Sequence, residues 1–353
     1  MAATQRISLF LILLFTFSIA NAAQSKKSRA TEVAAPPVVD PVKPQDVPFR
    51  FDAFLDAQGL WTDRKDAPTR GFTLNDAALY LSKDFSRGIS AHVDLPFSTP
   101  EKAHTNSVGF AEKQAQAYFA YTSIGWGGQF GQFDSPFGVE KNDSRDRFFA
   151  DKGEIGKSLV PLTHSGVLAS YQIESLRLGA LVANPSDEGT MYERNPEFGA
   201  LGAVETADRT YGGQIGFTVG EADVPSSNKT NLLVDVLGRY QKGRFQFNAG
   251  FNSKKTAGTD KTANGLGLLG ILQFDEELAA GARFEYLTDV VGTLPTGGTT
   301  IIEKVMTLTL GPSYKLAPNF IVRGDFTLGN YDYPSPTEDR TTVSLGLSMV
   351  ASL

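Results

Sequence analysis

The sequence predicts an all-β fold, a transmembrane antiparallel up-and-down β-barrel of about 16 strands with 14 as the fallback count, on three observations. Long stretches alternate apolar and polar residues with a period of two. They run to about 10–14 residues, beyond the ~5–6 of ordinary soluble strands and suited to a tilted bilayer crossing. The connections alternate between tight turns and long polar loops, which is how a membrane barrel is strung together. Composition agrees, with 35 glycines, 25 phenylalanines and no cysteine. The missing cysteine removes disulfides, thiolate metal sites and a thiol nucleophile together. Mean hydropathy is slightly negative, which alternating strands allow and helical spans do not.

Taken in order, the first element is a leader. Arg6 precedes an apolar run from Ile7 to Ile19, and Ala20, Asn21 and Ala22 supply small residues for cleavage, so residues 1–22 read as a signal peptide. The run is too short for the ~20 residues of a spanning helix. Residues 23–47, with Pro36, Pro37, Pro41 and Pro44, read as a disordered periplasmic Pro-rich tether. Lys26, Lys27 and Arg29 are the only support for a further role there, against the cell wall or as a plug.

From residue 48 to 353 the barrel pattern takes over. Phe49, Phe51, Ala53, Leu55 and Ala57 share one face; Arg50, Asp52, Asp56 and Gln58 share the other, with Phe54 the exception. The split recurs in Ile89, Ala91, Val93 and Leu95 against Ser90, His92 and Asp94, and in Phe245, Phe247 and Phe251 against Gln246, Asn248 and Asn252. It returns at the end, where Val343, Leu345, Leu347 and Met349 alternate with Ser344, Gly346 and Ser348. Tight turns fall at 85–88, 124–125, 174–175, 242–243, 275–277 and 317–319; longer loops fall at 99–108, 139–161, 254–261 and 291–299. The clear segments number about 15, and barrels of this kind are even-stranded. A descending strand over 197–204, closed by a turn at 206–209, restores the parity and brings both termini to the periplasmic side.

Particular stretches carry a resemblance. Ala117-Tyr118-Phe119-Ala120-Tyr121 leads into Gly131-Gln132-Phe133-Asp134-Ser135-Pro136-Phe137-Gly138-Val139-Glu140; Pro161-Leu162-Thr163-His164-Ser165-Gly166-Val167 and Ala282-Arg283-Phe284-Glu285-Tyr286-Leu287 follow. From Phe51 onward the chain resembles the OmpL-like β-barrel porin family of bacterial outer-membrane proteins, although it ends in Leu353 where barrels usually end in phenylalanine. The resemblance implies a passive channel with no catalytic residues and no cofactor.

Parity independently places Arg50, Asp52, Asp56, His92, Asp94, Gln114, Gln116, Arg177, Asp235, Arg239, Arg283, Glu285, Glu303, Arg323 and Asp325 on the inner face. A basic residue at mid-bilayer depth on the lipid face would cost about 2–4 kcal/mol, so these charges argue for a wet lumen. Five arginines stand against eight carboxylates, counting Asp289, which implies weak cation preference. The loop 139–161 is the candidate constriction, carrying Glu140, Lys141, Asp143, Arg145, Asp146, Arg147, Asp151 and Lys152 around Phe148 and Phe149. The expected partners are outer-membrane lipid and small hydrophilic solutes or ions, with homo-oligomers compatible.

Other chemistries find little support. The formal charge is −6, without the basic clusters that nucleic acid demands. Of three histidines, His164 adjoins Ser165, but neighbours in a strand point to opposite faces and form no nucleophile–base pair. No metal-ligand spacing is visible beyond loop carboxylates such as Asp143 and Asp146, which suit calcium. The alternative to a channel is a non-conducting structural or adhesive barrel binding partners through its outer loops, for instance 184–195 with Asp187, Glu188, Glu193 and Arg194.

Overall fold

The computed structural model describes residues 48–353 apart from 64–68, 99–108, 111–114, 185–195, 222–229, 258–259, 294–298 and 335–339. The expected leader, the tether, Gln114 and the acidic cluster of 187–194 lie outside the described residues. No helix among the described residues is long and apolar enough to cross a membrane.

The strands are β1 (Arg50–Asp63), β2 (Thr69–Asp84), β3 (Ile89–Ser98), β4 (Gly109–Phe110), β5 (Gln116–Thr122), β6 (Trp126–Asp134), β7 (Thr163–Ile173), β8 (Leu176–Ala183) and β9 (Glu197–Glu205). They continue as β10 (Tyr211–Glu221), β11 (Thr230–Lys242), β12 (Phe245–Lys255), β13 (Thr262–Gln273), β14 (Leu278–Thr293), β15 (Thr299–Ala317), β16 (Phe320–Asp332) and β17 (Arg340–Ser352). Taking β4 and β5 as one position, each pairs antiparallel with its chain neighbours, and β1 also pairs with β17, so the sheet closes. The short β4 and β5 both lie against β3 and occupy one position, so the closed barrel has 16 strands.

Alternation sets the two faces. Leu345, Leu347 and Met349 of β17 are exposed on the outside, as are Phe245, Phe247 and Phe251 of β12; Ser348 and Asn252, one residue out of phase, are fully buried inside. Residues 197–204 do form the descending strand, β9, held against β8 and β10. Its turn is built by Asp208, which accepts from Thr206 Oγ1 (2.7 Å) and the Thr210 amide (3.0 Å) while Arg209 takes a left-handed φ of 57°. Two loops are shorter than expected, because β12 continues through Lys255 and β14 through Thr293.

One bulge matters for the interior. Between β1 and β2 the register shifts at Asp56/Ala57, leaving Asn75 unpaired opposite them. The extra residue turns the Asn75 side chain inward beside that of Asp76. Its Nδ2 donates to Asp56 Oδ2 (3.0 Å) and to the Ala150 carbonyl (3.1 Å).

Candidate functional site

Residues 135–162 leave β6, run along the inside of the barrel and return at β7. Their one α-helix, α1 (Glu154–Ser158), is a single turn. Five wall carboxylates hold the segment. Asp235 on β11 accepts the Gly138 amide (3.2 Å), and Glu285 on β14 accepts those of Glu154 (2.9 Å) and Ile155 (3.0 Å). Asp325 on β16 accepts Ala150 (2.8 Å), Asp76 on β2 accepts Ser144 (3.1 Å), and Asp52 on β1 takes Arg145 Nη1 (2.6 Å). In return, wall arginines donate to the segment: Arg283 Nη1 to Glu140 Oε1 (2.6 Å) and the Asp151 carbonyl (3.0 Å), and Arg323 Nη1 to the Ser144 carbonyl (2.7 Å). The Arg283–Glu140 pair is buried on both sides. Breaking such a pair from one side costs about 3–5 kcal/mol.

Apolar contacts interlock the same surfaces. A Cβ on Gly216 would lie 2.6 Å from Phe137, and one on Gly265 would lie 2.7 Å from Leu159 and 3.0 Å from Ile155. The inner wall is thus glycine where the segment brings large side chains. Phe133, Phe137, Ile155, Leu159 and Val160 join Leu181, Leu201, Leu233 and Leu287 in one buried cluster. Phe54, the exception to the β1 pattern, is 5% exposed and stacks 6.1 Å from Tyr80. The Arg145 guanidinium sits 5.4 Å from the Phe54 ring and 4.8 Å from Tyr80, while the Tyr80 hydroxyl donates to Asp143 Oδ2 (2.5 Å).

The segment's polar anchors reach from Gln214 on β10 and Asp235 on β11 through β14 and β16 to β1 and β2, and between it and part of the wall a cavity of about 600 Å³ remains. It is bounded by the segment (Ser135–Asn142, Lys152, Val160) and by inner residues of β6 to β12, among them Gln129, Ser170, Gln172, Gln214 and Asn248.

The expected lumenal residues therefore divide. Asp52, Asp235, Arg283, Glu285, Arg323 and Asp325 touch the segment directly, as above. Asp56 is fully buried, accepting from Ser348 Oγ (2.7 Å) and Asn75. Gln116 and Asp134 are joined twice, through Gln116 Nε2 to Asp134 Oδ1 (3.0 Å) and the Asp134 amide to Gln116 Oε1 (3.0 Å). His92 contacts Ser90 Oγ (2.8 Å) and stacks on Tyr118, and Asp94 is half-buried on the same strand. Arg177 and Arg239 line the cavity, Arg239 in an ion pair with Glu205. Arg50 pairs with Asp84 (2.5 Å) at the exposed barrel end, away from the segment. Glu303 departs from the parity reading: it is exposed, and the buried set on β15 passes from Val305 to Ile302. The cause is local, since its opposite number Asp289 has φ 55° and the pair drops out of the ladder.

On the segment, Arg147 Nη2 donates to the Ala150 carbonyl (3.2 Å), Asp151 accepts weakly from Gln58 (3.5 Å), and the side chains of Asp146 and Lys141 make no hydrogen bond among the described residues. Asp143 accepts from the Arg145 amide and Tyr80, and no group of three or more potential metal ligands occurs among the described residues. Lys152 is 9% exposed, and its Nζ donates to Asn142 Oδ1 (2.6 Å). Burial pulls its ammonium down to about 8. One contact was invisible in sequence: Ser135, not Ser165, comes within 3.3 Å of His164 Nε2. His164 is 1% exposed and packs edge-on to Phe137, shut off from solute.

A closed 16-strand antiparallel barrel with a hydrocarbon-ready outer wall and a polar, partly filled interior defines an outer-membrane β-barrel of the porin class. The chain belongs to the family described as "Putative beta-barrel porin-2, OmpL-like", which it matches over residues 51–353. Among solved structures it is similar to the outer membrane channel DcaP of Acinetobacter baumannii (TM-score 0.64, 12% identity, 86% of this chain and 97% of that one). OprB of Pseudomonas putida gives TM-score 0.63 at 9% identity over 86% and 94% of the two chains. OmpF of Salmonella typhi in complex with daunomycin gives 0.59 at 12% over 87% and 98%. No curated protein matches the chain.

Proposed function

We propose that this protein is a passive diffusion channel for small hydrophilic solutes or ions, with the passage running along the β6–β12 wall and residues 135–162 as its constriction. The carrying observation is the cavity of about 600 Å³ that remains between the anchored segment and the inner residues of β6 to β12. Barrels of about 16 strands are wide enough for an aqueous channel, so a segment folded inside narrows the bore and the remaining cavity supports a passage beside it. The tight turns and both ends of the described chain share one end of the barrel, which supports a periplasmic assignment for that end. No catalytic role is proposed for Ser135 and His164, whose ring is buried.

The weak cation preference expected from the carboxylate count has lost its basis. None of those eight carboxylates lines the cavity; Asp52, Asp235, Glu285 and Asp325 bind the segment. Planar-bilayer recording on refolded protein tests the channel. Stable ohmic steps are expected, and a correctly folded barrel that stays silent would overturn it in favour of the structural or adhesive reading.

A further inference from the structure

Seven charged residues line the cavity: Lys141, Lys152, Arg177 and Arg239 against Asp134, Glu140 and Glu205. The acids are all engaged. Both Glu140 oxygens are taken, Oε1 by Arg283 (2.6 Å) and Oε2 by the Gly153 amide (2.6 Å). Asp134 Oδ1 accepts from Gln116 (3.0 Å) and Asn142 (2.9 Å), and Glu205 is paired with Arg239. The bases are not matched in the same way. Lys141 and Arg177 form no ion pair or side-chain hydrogen bond among the described residues, and Lys152 is held only by the neutral amide oxygen of Asn142.

We propose that this cavity is an oxyanion subsite of the passage, in which Lys152, with Arg177 and Lys141 opening onto the same space, binds the carboxylate or phosphate group of a small solute. The inference rests on the channel reading for its biological use, but the binding chemistry stands on the cavity alone. A nine-tenths-buried ammonium that meets no carboxylate retains most of its desolvation cost, and an anion drawn beside it offsets that cost. Two of its three donors remain for such a guest after the bond to Asn142. The groups around it are Arg147 and Lys157, which oppose its charge, and Glu140 and Asp134, which favour it. Burial and the like charges prevail over those acids, holding the ammonium near 8, a further sign that its surroundings leave the positive charge under-compensated. The volume suits a small organic anion, and conduction requires that it bind weakly enough to leave.

Inorganic phosphate is the probe, with two readouts on the refolded full-length chain. In bilayers under a potassium chloride gradient, the reversal potential should indicate anion preference, and phosphate should reduce the chloride current. In detergent, phosphorus NMR line broadening reports binding whether or not the barrel conducts. Lys152→Gln should raise the half-blocking phosphate concentration about tenfold, the ratio expected for one lost charge-assisted hydrogen bond; Arg177→Gln, on the exposed side of the cavity, should raise it less. Cation preference with steps intact and no line broadening overturns the subsite while leaving the channel. Line broadening on a silent barrel upholds the subsite and overturns the channel. Binding that is unchanged in both variants, each shown to be folded by its heat-modifiable gel mobility, also overturns the subsite.

Discussion

Replacing Glu285 with alanine tests how firmly the inner segment is held. Its carboxylate accepts the first two amides of α1, from Glu154 (2.9 Å) and Ile155 (3.0 Å), and also the Thr307 hydroxyl (3.2 Å). Hydrogen bonds to a charged group contribute about 1.5–3 kcal/mol each, so losing the two amide bonds costs ~3–6 kcal/mol of docking free energy. Gly153, which caps α1, has no side chain to replace them. Strands about 4.8 Å apart and tilted about 40° give a 16-stranded barrel a backbone radius of ~16 Å, and side chains of ~5 Å leave an inner radius of ~11 Å for the segment and the passage to share. The segment is anchored from β10 round to β2, so freeing its α1 end should widen the passage and raise single-channel conductance, with added flicker, in bilayers. Glu285→Gln keeps one acceptor oxygen and should fall between alanine and wild type. A Glu285→Ala channel with the conductance, noise and thermal unfolding of the wild type would refute the anchoring argument.

Deleting residues 141–157 should raise conductance further, and an unchanged value in bilayers would remove the constriction. Gly265→Leu, whose Cβ meets Leu159 at 2.7 Å, should push the segment off the wall, giving a conductance increase and a lower unfolding temperature, at about 1–3 kcal/mol for an overpacked contact. Phe54→Ala removes one ring beside Arg145 and should destabilise the refolded barrel by about 3–5 kcal/mol in denaturant titration. Because the Lys152 ammonium titrates near 8 instead of the usual 10.5, it is charged below that pH and neutral above. Anion preference should therefore weaken as pH rises from 7 to 9, and Lys152→Gln should flatten that profile.

Much of the architecture was readable from alternation, because a strand facing lipid on one side and water on the other must switch character at every residue. Even the weak β9 was recoverable from the even-strand requirement. Parity failed where the backbone stops being regular. The left-handed Asp289 changes which residues of β15 are buried, displacing Glu303, and the bulge at Asn75 sends an extra polar side chain inward. The role of the inner charges was harder to read. Glu285 and Asp325 look like pore lining in a single strand, and only the return of a distant segment turns them into acceptors for its amides. Phe54 carried a readable signal, an apolar residue on a polar face, whose partner Arg145 lies 91 positions further along. The Ser135–His164 contact had none, since it joins residues on either side of the loop.

The bulge at Asn75 also bears on how closure and contents are coupled. Asp56 sits on the first strand of the barrel and is bonded to Ser348 on the last, while Asn75 bridges Asp56 to the Ala150 carbonyl of the inner segment. The seam that seals the cylinder and the tie that secures its contents thus share one small knot of side chains. Loss of Asn75 would therefore loosen both at once. Closure of the cylinder and seating of its contents are in this way coupled through Asp56, so a change that weakens one is felt by the other.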